Sequence, residues 1–332
     1  MSRPQKSTIV RFRNQGRRAL FRSADLLAPN LAGRIARDIW FTAPPRLAAT
    51  PLPEGGRPFE VESLGAVVRG HVWGDGPVVY LVHGWGGRGS QLASFVEPLL
   101  AGGLRVAMFD APGHGDSDPG AAGRGRTHGV EFGKALDAVF AEFGPAEAVV
   151  AHSLGTISTY LTLRFGWLST RRLVLVAPMV AAEPLFDQFQ QALGFGARTR
   201  RAFDRHLDEF VGIPMAEFDA GFQASYADPV PTLVIHDRGD RQTPWVDTVR
   251  FVESVPDARL VTTDGLGHRR ILKDPAPSYE ANALNELFAE GIIRVWVKPA
   301  DYVAVKTAIV LGVQKLALPA PAPPPPSEEP KA

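Results

Sequence analysis

Short apolar runs, recurring between stretches of helical periodicity, constrain this chain more than any other feature. They are Val78–Val82, Arg105–Phe109, Ala148–Ala151, Leu173–Ala177, Thr232–His236 and Arg259–Thr262. Runs of four to six residues suit strands, and parallel strands flanked by helices must be apolar on both faces. The pattern predicts an α/β chain built on a doubly wound, mostly parallel sheet. Two alternating runs ahead of it, Phe59–Leu64 and Ala66–Trp73, read as an opening antiparallel hairpin. Such sheets collect ligands at the carboxyl ends of their strands, so chemistry is expected in the residues just after each run.

At 332 residues the chain suits one such unit with extensions, and its 45% hydrophobic, 21% charged composition allows a sizeable core. The unit is placed at 59–292. Between the fourth and fifth runs lies an insert, 179–229, carrying Phe186, Phe189, Phe195, Phe203, Phe210, Phe218, Phe222 and Tyr226. It reads as a small helical cap whose aromatics pack internally, some of them lining a pocket. Residues 1–58 read as a basic helical extension and a linker. The segment 293–332 reads as a further extension, with one helix at Ala300–Leu318 and a Pro-rich, disordered tail from 319.

Ser153 follows the strand at 148–151 and precedes a helical stretch, Thr156–Phe165. A serine in that strand-to-helix turn needs small residues two before and two after it, because neighbouring backbones approach closely there. Ala151 and Gly155 supply them. The run Ala-His-Ser-Leu-Gly resembles the nucleophile elbow of the α/β-hydrolase superfamily, with alanine in place of the usual first glycine. A second match, His83-Gly84-Trp85-Gly86-Gly87, directly follows the strand at 78–82. A third, the loop from Asp110 to Ser117, follows the strand at 105–109 and is similar to a loop of esterase-like and carbon–carbon-bond-cleaving members.

The resemblance implies a triad in the order serine, acid, histidine. Asp240, four positions before Pro244, takes the place of the acid, with Asp237 as runner-up. Of eight histidines only His268 comes after both Ser153 and Asp240. His83, His114, His152 and His236 read as structural or loop-shaping, and His71 and His128, with His206, have no catalytic setting. The oxyanion hole implied is the backbone N–H of Leu154 and of Trp85. The expected reaction is hydrolysis of a carboxylic ester or thioester of an apolar, small-molecule substrate through an acyl-enzyme on Ser153. Carbon–carbon bond hydrolysis and cofactor-free perhydrolysis by the same triad are the alternatives, and a catalytically silent binding or membrane-docking module is the alternative of another class. No metal or organic cofactor is expected, since no ligand spacing or phosphate loop is present.

Charge is uneven. Residues 1–46 hold ten Arg or Lys against two Asp, a surplus of +8, and the remainder carries −7. Apolar residues recur among these arginines at helical spacing, which predicts one or two amphipathic helices broken near Pro29. Helices packed on the catalytic unit are the first reading, and peripheral docking on an anionic membrane is the second. Nucleic-acid binding is not expected, because base-stacking aromatics are not interleaved with the basic residues. No run reaches the length of a membrane span, no leader pattern opens the chain, and there is no cysteine, so a cytoplasmic setting is the expectation. The sequence sets no oligomeric state.

Overall fold

A computed structural model describes residues 5–272, apart from 46, 122 and 124, together with Trp296–Val297. The predicted helix at 300–318, the tail from 319 and the end of the unit at 273–292 lie outside the described residues. Nine strands form one sheet: β1 (Arg57–Ser63), β2 (Ala66–Trp73), β3 (Val78–Val82), β4 (Arg105–Phe109), β5 (Ala146–His152), β6 (Leu173–Val176), β7 (Thr232–Asp237), β8 (Ala258–Thr263) and β9 (Trp296–Val297). Their order is β1-β2-β4-β3-β5-β6-β7-β8-β9. The β1–β2 and β2–β4 pairs are antiparallel, and every other pair is parallel. The opening hairpin turns through Leu64 and Gly65, both at positive φ (50° and 76°), as a tight two-residue connection requires.

Every residue of β3, β6 and β7 is buried, and alternation along the strands divides them between two cores. On one face Tyr80, Val82, Val149 and Leu175 pack with Phe132 and Ile157; on the other Leu81, Val150, Val174 and Ile235 pack with Leu92 and Leu99. The helices that supply this cover are α3 (Val96–Ala101), α4 (Gly129–Phe143), α5 (Leu154–Arg164), α9 (Trp245–Ser254) and the short α10 (Gly267–Arg270). The first nine residues of α5 are all buried, which explains why its sequence lacks an amphipathic pattern.

The insert between β6 and β7 contains α6 (Glu183–Leu193), α7 (Ala197–Val211) and α8 (Ala220–Ala224). Two helices precede the sheet, α1 (Gln5–Leu27) and α2 (Pro29–Trp40), and they break at Pro29 as the proline predicts. These helices pack on the insert. A Cβ on Gly33 of α2 would lie 2.7 Å from the Ala202 Cβ and the Phe203 amide of α7, so glycine is what lets the two helices approach so closely. Asp25 at the end of α1 accepts a hydrogen bond from the Thr199 amide (2.7 Å) in the first turn of α7, satisfying one of the donors a helix start leaves open. Phe21 of α1 packs on Phe195, and Trp40 of α2 meets Phe186, Phe189 and Phe203. Among the described residues no helix is long and apolar enough to cross a membrane.

Candidate active site

Ser153 stands between the end of β5 and the start of α5 with φ 52° and ψ −120°, a conformation that costs any residue with a Cβ of order 1–3 kcal/mol. The turn is tight because the adjoining loop lies against it. A Cβ on Gly155 would meet the carbonyl oxygens of Val82 and His83 at 2.8 and 2.9 Å, and one on Gly84 would stand 2.6 Å from the Ser153 Cβ. Gly155, read from the sequence as a small neighbour of Ser153, is therefore a steric requirement, and so is Gly84.

Three residues from separate strand ends meet here. The Ser153 hydroxyl lies 2.9 Å from His268 Nε2, and His268 Nδ1 lies 2.7 Å from Asp240 Oδ2. All three are buried. With Nδ1–H donating to the carboxylate, Nε2 is left free to accept the serine proton, a tautomer assigned from this network. Burial alone would raise the Asp240 carboxyl, but hydrogen bonds from His236 and His268, the charge of His268 and the Gln242 amide hold it well below the usual carboxylate range. It is therefore ionised near neutral pH.

The support of Asp240 was not legible in the sequence. Its Oδ1 accepts from the amides of Gln242 (2.7 Å) and Thr243 (3.1 Å), and its Oδ2 accepts from the Thr243 hydroxyl (3.1 Å) and from His236 Nε2 (3.2 Å). His236 is itself oriented by the Thr248 hydroxyl (2.7 Å). His236 was read as loop-shaping, yet its ring reaches the acid directly. Its place four residues before Asp240, at the end of a strand, is the signal the sequence offers. Asp237, the runner-up for the acid, is occupied elsewhere: its carboxylate accepts from the Gly239 and Leu266 amides and from the Thr263 hydroxyl, tying together the loops that carry Asp240 and His268.

The other motif histidines shape the backbone. Ala111 and Gly86 amides donate to His83 Nε2 and His114 Nε2 (both 2.9 Å), which ties the two loops after β3 and β4 to each other. His152 donates to the His268 carbonyl (3.0 Å) with the ring centroids 4.8 Å apart. Burial pushes His83 down to about 4 and, with the charge of His268 adding to it, His152 down to about 3, so both are neutral near pH 7. His71 and His206 lie away from the site, the latter with Glu209 and Asn30. His128 borders the cavity described next.

Ser153 and His268 open on a cavity of about 590 Å³, and Trp85 and Leu154 border the same space. Leu154 is the first residue of α5, where an amide has no partner within its helix. Phe186, Phe189 and Phe218 of the insert line the cavity with Leu185 and Met215. The remaining insert aromatics do not line it: Phe195 and Phe203 pack between helices, Phe210 stacks on Phe41, and Phe222 and Tyr226 sit by Arg164. A further part of the wall carries no signal in the sequence. It comes from the end of α2 and the turn after it, through Ile39, Trp40, Phe41 and Pro44. Among the described residues no group of three His, Cys, Asp or Glu could hold a metal ion.

The sheet order, the elbow and the convergence of three strand ends define an α/β hydrolase, and residues 79–281 match the model of the alpha/beta hydrolase family. That match spans well over half of the chain, which therefore belongs to this family of hydrolases. The chain is 29% identical over 243 residues to pimeloyl-(acyl-carrier protein) methyl ester esterase of Aromatoleum aromaticum, covering 60% of this chain and 94% of that one. It is 27% identical over 237 residues to a 2-hydroxy-6-oxononadienedioate/2-hydroxy-6-oxononatrienedioate hydrolase of Cupriavidus pinatubonensis, covering 57% of this chain and 80% of that one. The solved structure of an esterase of Pyrococcus furiosus shares the fold at 17% identity, with a TM-score of 0.56, over 83% of this chain and 98% of that one.

Proposed function

We propose that this chain is a serine hydrolase that cleaves a carboxylic ester or thioester of an apolar acyl group through an acyl-enzyme on Ser153. The observation that carries the reading is the run from Ser153 Oγ through His268 to Asp240, at 2.9 and 2.7 Å, opening on a largely aromatic and aliphatic cavity. As Oγ attacks the carbonyl carbon, His268 Nε2 takes its proton. The charge that develops on the carbonyl oxygen is met by the N–H groups of Leu154 and Trp85. His268 then protonates the departing alcohol or thiol, leaving the acyl group on Oγ. A water that gives its proton to His268 attacks the acyl carbon and releases the acid. Asp240 remains a carboxylate, holding the ring and supporting the imidazolium.

In this reading residues 59–292 form the catalytic unit, α6 to α8 are its cap, and the end of α2, packed on the cap, adds to the cavity wall. The ester chemistry in the name of the Aromatoleum aromaticum relative supports it. The Cupriavidus pinatubonensis relative supports a second reading, carbon–carbon bond hydrolysis by the same residues, and Arg241 and Arg269 at the cavity offer charge to a carboxylate-bearing substrate.

A p-nitrophenyl ester series of increasing acyl length, run beside 2-hydroxy-6-oxononadienedioate, separates the two. Ester turnover that falls by roughly 10⁴-fold or more in Ser153→Ala is the expected result. A fluorophosphonate probe should label the wild type at Ser153 alone. A labelled protein that turns over only the dienedioate moves the assignment to the second reading, and absence of labelling removes Ser153 as nucleophile.

A further inference from the structure

Ten large hydrophobic side chains stand exposed among the described residues, and six of them belong to α1 and α2. Three of the six, Leu31, Ile35 and Ile39, follow at four-residue steps along α2, which draws one stripe, and Leu27 ends α1 just before the break that leads into it. The face of α2 that is buried against the protein, through Ala32, Gly33 and Ala36, adjoins this stripe and leaves it exposed along the flank of the helix. A surface helix ordinarily turns polar residues outward, so an outer stripe of leucine and isoleucine calls for a cover.

The charge beside the stripe indicates what the cover is. Arg34 sits next to it on α2. On the adjoining α7, Arg198, Arg201 and Arg205 recur at three- and four-residue spacing and border a shallow cleft of about 340 Å³ with Pro29 and Asn30. Local acids are engaged elsewhere: Asp204 and Glu183 with Arg200, Glu209 with His206 and Arg205, and Asp25 with the Thr199 amide. Arg34, Arg198 and Arg201 have no ion-pair partner among the described residues. A second copy of this chain meeting the same face would set arginine against arginine. Ile39, at the far end of the stripe, also lines the cavity that holds Ser153.

We propose that this face docks on an anionic lipid bilayer. Leu27, Leu31 and Ile35 enter the boundary between headgroups and acyl chains, and Arg34, Arg198 and Arg201 hold lipid phosphates. An acyl ester drawn from the bilayer then passes along Ile39 into the cavity. This last step rests on the serine-hydrolase reading; the docking does not.

The test uses the full chain and two kinds of vesicle, mixed phosphatidylglycerol–phosphatidylcholine and phosphatidylcholine alone. The wild type is expected to co-sediment with the mixed vesicles far more than with the neutral ones. A basic side chain near an anionic surface strengthens binding roughly fivefold, so Arg34→Gln/Arg198→Gln/Arg201→Gln should lose about a hundredfold of the partition. Leu31→Glu/Ile35→Glu should reduce it to the level of neutral vesicles. Both variants should hydrolyse a water-soluble short-chain p-nitrophenyl ester at the wild-type rate, which also certifies their folding. Ser153→Ala should bind vesicles as the wild type does while losing hydrolysis, so failure of docking and failure of the serine mechanism are read separately. Equal wild-type binding to the two lipids overturns the proposal whether or not a variant folds. So does a concentration-dependent dimer that Leu31→Glu/Ile35→Glu abolishes in the absence of vesicle binding.

Discussion

Replacing Gly84 with alanine would set a methyl carbon 2.6 Å from the Ser153 Cβ and 3.1 Å from both the ring Nδ1 and the carbonyl oxygen of His152. Carbon atoms settle at about 3.5–4.0 Å, so the backbone at the elbow or the loop after β3 must move by about 1 Å. Neither side yields freely. The Ser153 amide is bonded to the Val176 carbonyl (3.3 Å), and the Ser153 carbonyl accepts from Thr156 and Met179 (3.0 and 3.1 Å). His152 is buried and bonded to the His268 carbonyl. Overpacking of this kind costs about 1–3 kcal/mol, which for a domain of this size lowers Tm by several degrees. The larger effect falls on the reaction: a displacement of about 1 Å between Ser153 and His268 costs on the order of 10²-fold in kcat/KM. The assay pairs kcat/KM on a p-nitrophenyl ester and the rate of fluorophosphonate labelling with a thermal melt. Gly16→Ala is the matched control, because a Cβ there meets nothing within 4 Å. A Gly84→Ala protein that melts and turns over like the wild type would refute the steric reasoning. A lowered Tm with unchanged kcat/KM would show that the contact does not reach the Ser153 hydroxyl.

Glycine adopts the Ser153 backbone conformation without the Cβ strain, so Ser153→Gly should be more stable than Ser153→Ala by about 1 kcal/mol once the entropy of glycine is subtracted, with both inactive. Equal melting temperatures would mean that the elbow stores no strain. His83 and His152 titrate at about 4 and about 3 in the fold and near 6.5 when unfolded. Their contribution is complete above about pH 6.5 and is lost as the pH falls, since the unfolded chain takes up protons the fold refuses. Stability should therefore fall as the pH drops from about 6 towards 4, and His152→Gln should make that fall shallower, read from urea midpoints. Below about pH 4 the depressed Asp240 carboxyl adds loss in the same direction. Trp40→Ala removes the contacts at 4.9 and 5.1 Å with Phe186 and Phe189 and should cost about 3 kcal/mol by urea denaturation, while shifting the acyl-length profile toward longer chains because the residue walls the cavity.

What the sequence alone determined was everything set by local sterics and periodicity. Strands buried in the middle of a sheet must be apolar on both faces, so β3 and β4 stand where the runs placed them, β6 ends one residue short of its run, and β5, β7 and β8 extend one or two residues further at an end. An elbow needs small neighbours, so Ala151 and Gly155 marked Ser153. Proline cannot continue a helix, so the N-terminal helices divide at Pro29. Chain order after the elbow also singled out Asp240 and His268, and His268 does meet Ser153, across 115 residues, with Asp240 on the far side of its ring. The tertiary structure decided which side chains hold those three in place and what encloses them. His236 and Thr243 gain their roles only because β7 and its following turn aim them at one carboxylate oxygen, and nothing in residue type announces that direction. Trp40 and Phe41 face the cavity because α2 packs on α7 through Gly33. That docking sums many weak contacts between surfaces distant in sequence, which leave no period, motif or spacing to read.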